Sequence, residues 1–459
     1  MADDLSWADL GCYGQRLIAT PNIDRLAAEG MRFTQCYSGS TVCAPSRSCL
    51  MQGLHSGHAS VRDNMVGFGG GLYRACLTEE DVTVAQVLSA AGYATGLFGK
   101  WGLSVHDQPG VPNNKGFDEF FGYLNQRKAH SYYPPYLWHN RRRFELPGNV
   151  GHDHLKPNEY DPQGRIIANG VTGPAQYSFD LCAERSLDFV RAHHREPFFL
   201  YLAYTIPHGV HEVPELGEYR DRPWPLIHKV FAAMVTRMDR AVGELISLLR
   251  EQGADRNTLL FFVSDNGYSV SGATTNPTLD EVFHHKGPWK GAKGNLRQGG
   301  VRVPALAWWP GRIPPGVLSD EVWAFWDFLP TAAEVAGAEQ PGACDGVSIL
   351  PTLLGDGQRQ RQREYLYWEF GHQQAARIGP WWAYREHPAA PVRVYDAERD
   401  PTEERDLAAE NAAVVRRTEA VFLEAHTPNP QSPSPGESPE QWAVRREQAG
   451  LVIEDNVDR

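Results

Sequence analysis

The chain has 459 residues, 42% of them apolar, enough for one large α/β unit and a smaller second one. Its formal net charge is −12, the wrong sign for a nucleic-acid binder, and no basic stripe offsets it. No run of about 18 apolar residues predicts a membrane span, and the opening Met1-Ala2-Asp3-Asp4 does not read as a signal peptide.

Thr20 as N-cap, Pro21 at the first helical position and Gly30 past the end predict a short helix. The segment from Thr41 to Gly53 predicts another, with Cys43 at its N-terminus, Pro45 in its first position and Gly53 as its stop. Free N–H groups and the helix dipole there favour an anion. Arg47, one turn on, is placed to bind an anionic oxygen. Seven cysteines are loosely spaced without a CxxC pair, and a lone Cys beside a helix start is most often a buried, inert thiol.

Further along, 79–91 predicts a helix, 93–98 a strand and 179–193 a helix. Residues 198–204 are a continuous apolar run, the pattern of a strand covered on both faces. A long helix over about 226–250 puts Met234, Met238, Val242, Leu245 and Leu249 on one face. Residues 259–263 and 303–309 read as two more strands. The alternation predicts an α/β fold over 1–350, a large mostly parallel sheet sandwiched by helices. Short strands at 365–370, 376–378, 382–385 and 392–395 and a helix over 413–426 predict a small antiparallel subdomain, 351–426. Residues 427–459 read as a Pro/Ser-rich linker and charged tail.

Ser264-Asp265-Asn266-Gly267 puts Asp265 and Asn266 at the C-terminal end of a buried strand, where sites in open α/β sheets gather. With Asp3 and Asp4 they form an oxygen-only set suited to a hard cation such as calcium or magnesium. Taken alone, Asn-Gly is as readily a plain turn, and Asp3-Asp4 a solvated terminus.

The run Cys43-x-Pro45-Ser46-Arg47-x-x-Leu50-x-x-Gly53 resembles, at every fixed position, the signature of the formylglycine-dependent (type I) sulfatases, arylsulfatase-like members of the alkaline phosphatase superfamily. Asp3-Asp4-Leu5 with Asp9-Leu10-Gly11-Cys12-Tyr13-Gly14 resembles the family's opening, and Ser264 to Gly267 its second metal motif. The resemblance implies that a formylglycine-generating enzyme oxidises Cys43, and that Asp3, Asp4, Asp265, Asn266 and residue 43 hold Ca2+, with Mg2+ as the alternative. A thiolate suits such a hard-ligand set poorly; the oxygens of a hydrated aldehyde suit it. Gly99-Lys100-Trp101-Gly102-Leu103 resembles the family's G-K-W-H-L, which assigns Lys100 to sulfate and leaves Gly102 where many members have His. His130, or His106, is the candidate replacement. Thr205-Ile206-Pro207-His208-Gly209 resembles the P-H motif and puts His208 at the leaving-group oxygen. The stretch Lys290 to Pro304 resembles the motif that assigns Lys293 to sulfate; Gln298 stands in place of its usual Glu, with Lys290 and His285 nearby.

The implied reaction is hydrolysis of a sulfate ester: hydrated formylglycine attacks sulfur, Lys293 and Lys100 neutralise the sulfate oxygens, and His208 protonates the departing alcohol. A sulfated carbohydrate is the expected substrate; the rings in Tyr132-Tyr133-Pro134-Pro135-Tyr136-Leu137-Trp138-His139 suit either a sugar face or the core. A phosphonate monoester or phosphodiester hydrolase can share the same nucleophile and metal site. A catalytically silent homologue that binds sulfated glycans is the rival of another class. The family implies a periplasmic or secreted location. It also implies a buried strand ahead of the paired Asp, which this sequence lacks through a late start or trimming, so Asp3 and Asp4 are expected to be poorly held.

Overall fold

The computed structural model describes residues 1–450 apart from 69–70, 155, 157, 172 and 270–278. Phe198–Ala203 pairs parallel with Ala94–Lys100, which pairs parallel with Glu119–Tyr123. Tyr136–His139 and Arg142–Glu145 extend this sheet by antiparallel pairing to five strands. A second sheet runs Leu260–Val263, Ala305–Trp308, Met31–Phe33, Val317–Ser319; only its last pair is parallel. The α/β class read from the sequence is present, with these strands in two mixed sheets that Met1 and Ala2 bridge.

Covering on both faces explains the unbroken apolar runs. Leu306 and Trp308 enter a cluster with Ile23, Leu26, Met238 and Leu245, while Ala305 and Ala307 enter another with Leu50, Met51, Leu88 and Val263. Helices Pro21–Glu29 and Leu226–Glu251 therefore cover one face, and Cys43–Gln52 and Val84–Ala90 the other. The last of these starts at Val84 and not at 79, because Thr83 forms a capping box with Gln86.

Met1 and Ala2 join the two sheets. The Met1 amino group donates to Leu202 O at 2.8 Å, and Tyr204 N–H donates to Met1 O at 3.0 Å. On the other side, Ala2 N–H donates to Val263 O at 2.8 Å and Asp265 N–H to Ala2 O at 3.0 Å. The expectation of poorly held carboxylates is thereby corrected: Asp3 and Asp4 are buried and follow a segment bonded on both sides. Beside Met1, an apolar cavity of about 810 Å3 separates the two strands, lined by Phe198, Leu200, Leu202, Leu260 and Phe262; the polar site lies outside it.

Gly99, with φ 115°, lies so close to the neighbouring strand that a Cβ would sit 2.0 Å from Ala203 O. Gly99→Ala is expected to destabilise the protein by roughly 3 kcal/mol or more, through strain and overpacking, and to displace Lys100. An unchanged denaturation midpoint would contradict this close approach.

Leu366–Phe370, Gln373–Ile378, Trp381–Arg385 and Arg393–Asp396 form an antiparallel sheet in sequence order, covered by Ala412–Glu424. Of the stretch 427–459, read as a linker and charged tail, residues 427–450 pack back, while 451–459 lie outside the described residues. Buried Gln431 accepts from Cys76 N–H at 3.0 Å and donates to Cys76 O at 2.8 Å. Ser438 caps a helix, Pro439–Gln448, whose Trp442 is buried and donates to Pro430 O at 3.1 Å. Pro and Ser serve anchored turns here, which composition does not distinguish from disorder.

Candidate active site

The helix begins at Cys43 itself, after extended Val42, and Gly53 closes it in the left-handed region. Pro45 therefore sits inside the first turn rather than opening it, where its missing N–H has no intrahelical partner to lose. Ala44 N–H donates to Asn64 Oδ1 at 2.8 Å. Cys43 Sγ lies 3.4 Å from Asp3 Oδ1 and 3.3 Å from Lys293 Nζ.

Around it stand paired charges, all buried or nearly so. Arg47 donates to Asp265 Oδ2 through Nε at 3.0 Å and Nη2 at 2.8 Å, and through Nη1 to Lys100 O at 2.8 Å. Lys100 Nζ is 2.6 Å from Asp3 Oδ2, and Lys293 Nζ is 2.6 and 2.8 Å from the two oxygens of Asp4. Asp4 itself has φ 64°, an uncommon conformation for a residue with a Cβ, and its N–H donates to Asp265 Oδ1 at 3.2 Å. Ser264 Oγ accepts the next N–H, that of Leu5, at 2.9 Å. His208 Nε2 is 3.6 Å from Asp4 Oδ2, its Nδ1 faces Gly209 O, and its ring stacks on His130 at 4.2 Å between centroids.

The sequence-derived residues thus fall together: Asp3, Asp4, Cys43, Arg47, Lys100, His130, His208, Asp265, Asn266 and Lys293. His106 does not join them; it is partly exposed, pairs with Asp107 and stacks on Trp138. His285 bonds Asp9 at 2.8 Å, and Lys290 Nζ bonds Glu403 O at 3.2 Å. The aromatic stretch resolves toward packing, since Tyr132, Tyr133 and Leu137 are buried. Tyr132 has a positioning role that nothing in its local sequence signals. Its hydroxyl is 2.8 Å from Thr205 O and 2.5 Å from His208 O, which fixes the histidine loop.

Burial opposes the charge of Asp3, yet the cations around it, Lys100 first and then Arg47 and Lys293, hold it well below the usual range. Asp265, with burial and Asp3 both opposing its charge, stays up at about 6. Burial, then Asp265 and Asp3, pushes the Cys43 thiol to about 12, so it is protonated and neither a nucleophile nor a metal ligand as it stands. Burial and Lys293 hold His208 well below its normal value, and burial and His208 do the same to His130, so both rings are neutral.

The donor chemistry fits a hard cation. Asp3, Asp4, Cys43 and His208 place ligand atoms within 4.8 Å of one another. Asn266 Nδ2 is spent on Asp4 at 2.7 Å, while its Oδ1 is buried with no hydrogen-bond partner, leaving a carbonyl oxygen for a metal.

The chain belongs to the sulfatase family: the family's model matches residues 1–338, and the model of the N-sulphoglucosamine sulphohydrolase C-terminal region matches 293–419. Among its relatives, canine N-acetylgalactosamine-6-sulfatase is 32% identical over 373 residues, covering 77% of this chain but only 65% of the canine protein. Human arylsulfatase A is 34% identical over 378 residues, covering 80% and 69%. Among solved structures, Ps i-CgsB in complex with k-i-k-neocarrahexaose has a TM-score of 0.75 at 26% identity, covering 97% of this chain and 96% of that one. The phosphonate monoester hydrolase of Agrobacterium radiobacter, at 18% identity and a TM-score of 0.65, shares the fold.

Proposed function

We propose that this protein hydrolyses sulfate esters, through a formylglycine made from Cys43 by a formylglycine-generating enzyme and a bound Ca2+, or Mg2+ in its place. The observation that carries the reading is the cluster of Asp3, Asp4 and His208 around a buried Cys43, with Arg47, Lys100 and Lys293 arranged about it. Three carboxylates, Asp3, Asp4 and Asp265, balance these three cations, so a divalent cation leaves the pocket positive, as an anionic ester needs.

Formylglycine supplies a hydrated aldehyde as nucleophile, and the cation supplies charge for the oxygens gathered at it. Asp3, Asp4, Asp265 and Asn266 Oδ1 hold that cation. Arg47 orients Asp265 and Asp3. Lys100 and Lys293 take the sulfate oxygens, and His208, with Nδ1 toward Gly209 O, presents Nε2 to the leaving oxygen, to which it gives a proton once that nitrogen has taken one up in the complex with the anionic ester. The relatives' names, with the oligosaccharide bound in Ps i-CgsB, favour a sulfated carbohydrate. Residues 1–350 would carry the catalysis and 351–426 the antiparallel subdomain, in a periplasmic or secreted protein. No helix among the described residues is long and apolar enough to cross a membrane.

The test is a comparison of rates on sulfate, phosphate and phosphonate esters of one alcohol, using formylglycine-bearing protein with calcium. Faster sulfate release, lost on chelation, is expected. Preference for the phosphorus esters would replace the sulfatase reading, and no turnover of any ester would favour the silent homologue. Calcium at 100 times its Kd is expected to add about 2.7 kcal/mol of stability, measured by thermal unfolding, and Asp4→Asn to remove most of that gain.

A further inference from the structure

Gly102 and the turn after Glu119–Tyr123 lie side by side. Trp101 N–H donates to Tyr123 O at 2.9 Å and Gly102 N–H to Leu124 O at 3.2 Å, which carries the strand pairing past Lys100. Asn125 Oδ1 then accepts from the N–H groups of Arg127 at 2.8 Å and Lys128 at 3.4 Å, folding the chain into a turn. Gln126, within that turn, is only 2% exposed. Its Oε1 lies 2.5 Å from the point where a Cβ on Gly102 would stand. Gln126 therefore fills the space in which any side chain at position 102 would begin.

Neither end of this amide is satisfied: Oε1 and Nε2 are both buried without a hydrogen-bond partner. Burying an unpaired amide is unfavourable, and such groups in folded proteins usually meet a ligand or an ordered water. The neighbourhood indicates which kind of ligand. Lys100, two residues before Gly102, reaches Asp3 at 2.6 Å. His130, four residues after Gln126, stacks on His208, and its Nε2 is likewise buried and unpartnered. One turn thus carries two unpaired polar side chains, Gln126 against Gly102, two residues after Lys100, and His130 against His208.

We propose that Gln126 is a substrate-binding residue: its Oε1 stands where a side chain at position 102 would begin, and its Nε2–H, the other end of the same amide, donates to a sulfate oxygen. This rests on the sulfate-ester reading of the site. The amide adds direction without charge and does not titrate, so it orients the sulfate equally at any pH at which the protein folds. Oε1 remains free to accept from a hydroxyl of the alcohol part, which ties the same residue to substrate choice.

The experiment compares Gln126→Met, similar in length but apolar, with the unsubstituted protein in calcium. Binding of inorganic sulfate is measured by calorimetry, kinetics on one sulfate ester as kcat and KM separately, and stability by thermal unfolding. The proposal expects sulfate binding weaker by about tenfold or more and a raised KM, with an unchanged or raised Tm because the unpaired amide is gone. A purely structural Gln126 would lower Tm and leave sulfate affinity alone. Sulfate binding within about twofold in the variant, or no sulfate binding by the unsubstituted protein, would overturn the contact. Sulfate binding needs no turnover. A chain that loses sulfate on Gln126→Met yet hydrolyses no ester would keep the contact and remove only the enzyme reading.

Discussion

Replacing Cys43 by alanine is expected to lower kcat/KM by about 10^4-fold or more while leaving the denaturation midpoint nearly unchanged. The thiol is fully buried, and burial with Asp265 and Asp3 pushes it up to about 12, so an unmodified cysteine offers no thiolate at neutral pH. It lies beside the carboxylates of Asp3 and Asp4, ligands of a hard cation that suits oxygen and not sulfur. The same loss is therefore expected of the unsubstituted chain made without a formylglycine-generating enzyme. Steady-state kinetics on a sulfate ester, beside a denaturant titration, check both. Substantial turnover by Cys43→Ala would move the nucleophile elsewhere.

Arg47→Ala carries the largest expected cost to the fold, roughly 3–5 kcal/mol, because it removes one partner of a buried ion pair and leaves the other uncompensated. The guanidinium meets Asp265 through two nitrogens, stands 3.4 Å from Asp3 and tethers Lys100 O at 2.8 Å. Its loss exposes three site residues to movement at once, so turnover should vanish with it. The pH dependence has a definite sign. Burial and Asp3 already hold Asp265 above its unfolded value, at about 6, with Arg47 present. A carboxyl raised in the folded state binds its proton more tightly there, so folding is helped as pH falls. Without Arg47 the rise is larger. The stability deficit of the variant, measured in chelator, should shrink between about pH 7 and about pH 5. Arg47→Lys should recover part of the stability but little activity, since one ammonium does not reproduce the two-nitrogen fork. A deficit that grows on acidification would contradict this placement of charge.

How far the site could be read before folding depended on the kind of signal. Asp265 and Asn266 were legible because a buried strand ends just before them, and such ends gather sites. Cys43 and Arg47 share one helix, so one turn of spacing placed them together. Lys100, His208 and Lys293 reach the cluster from distant segments, and only resemblance pointed to them; Lys100 meets Asp3 across 97 positions of sequence. Gln126 carried no signal at all, because its place follows from the missing side chain at Gly102 and from a turn set by Asn125. Tyr132 and Tyr133 left open whether their rings face a sugar or the core, since aromatic residues serve both. The antiparallel pairs within the sheets were illegible for another reason: apolar runs reveal two-sided covering, not the direction of the neighbouring strand. The packing of residues 427–450 is not legible in composition, because single residues, Gln431 and Trp442, anchor it.

The most direct test of the central claim pairs two readings on one sample. Protein made with graded amounts of a formylglycine-generating enzyme is digested, and the peptide containing residue 43 is weighed by mass spectrometry, while the same sample is assayed for sulfate release from a sulfated sugar. The account predicts that the aldehyde replaces the thiol and that the rate rises in proportion to the aldehyde fraction. Sulfate release at full rate from protein in which residue 43 carries only the thiol would contradict it.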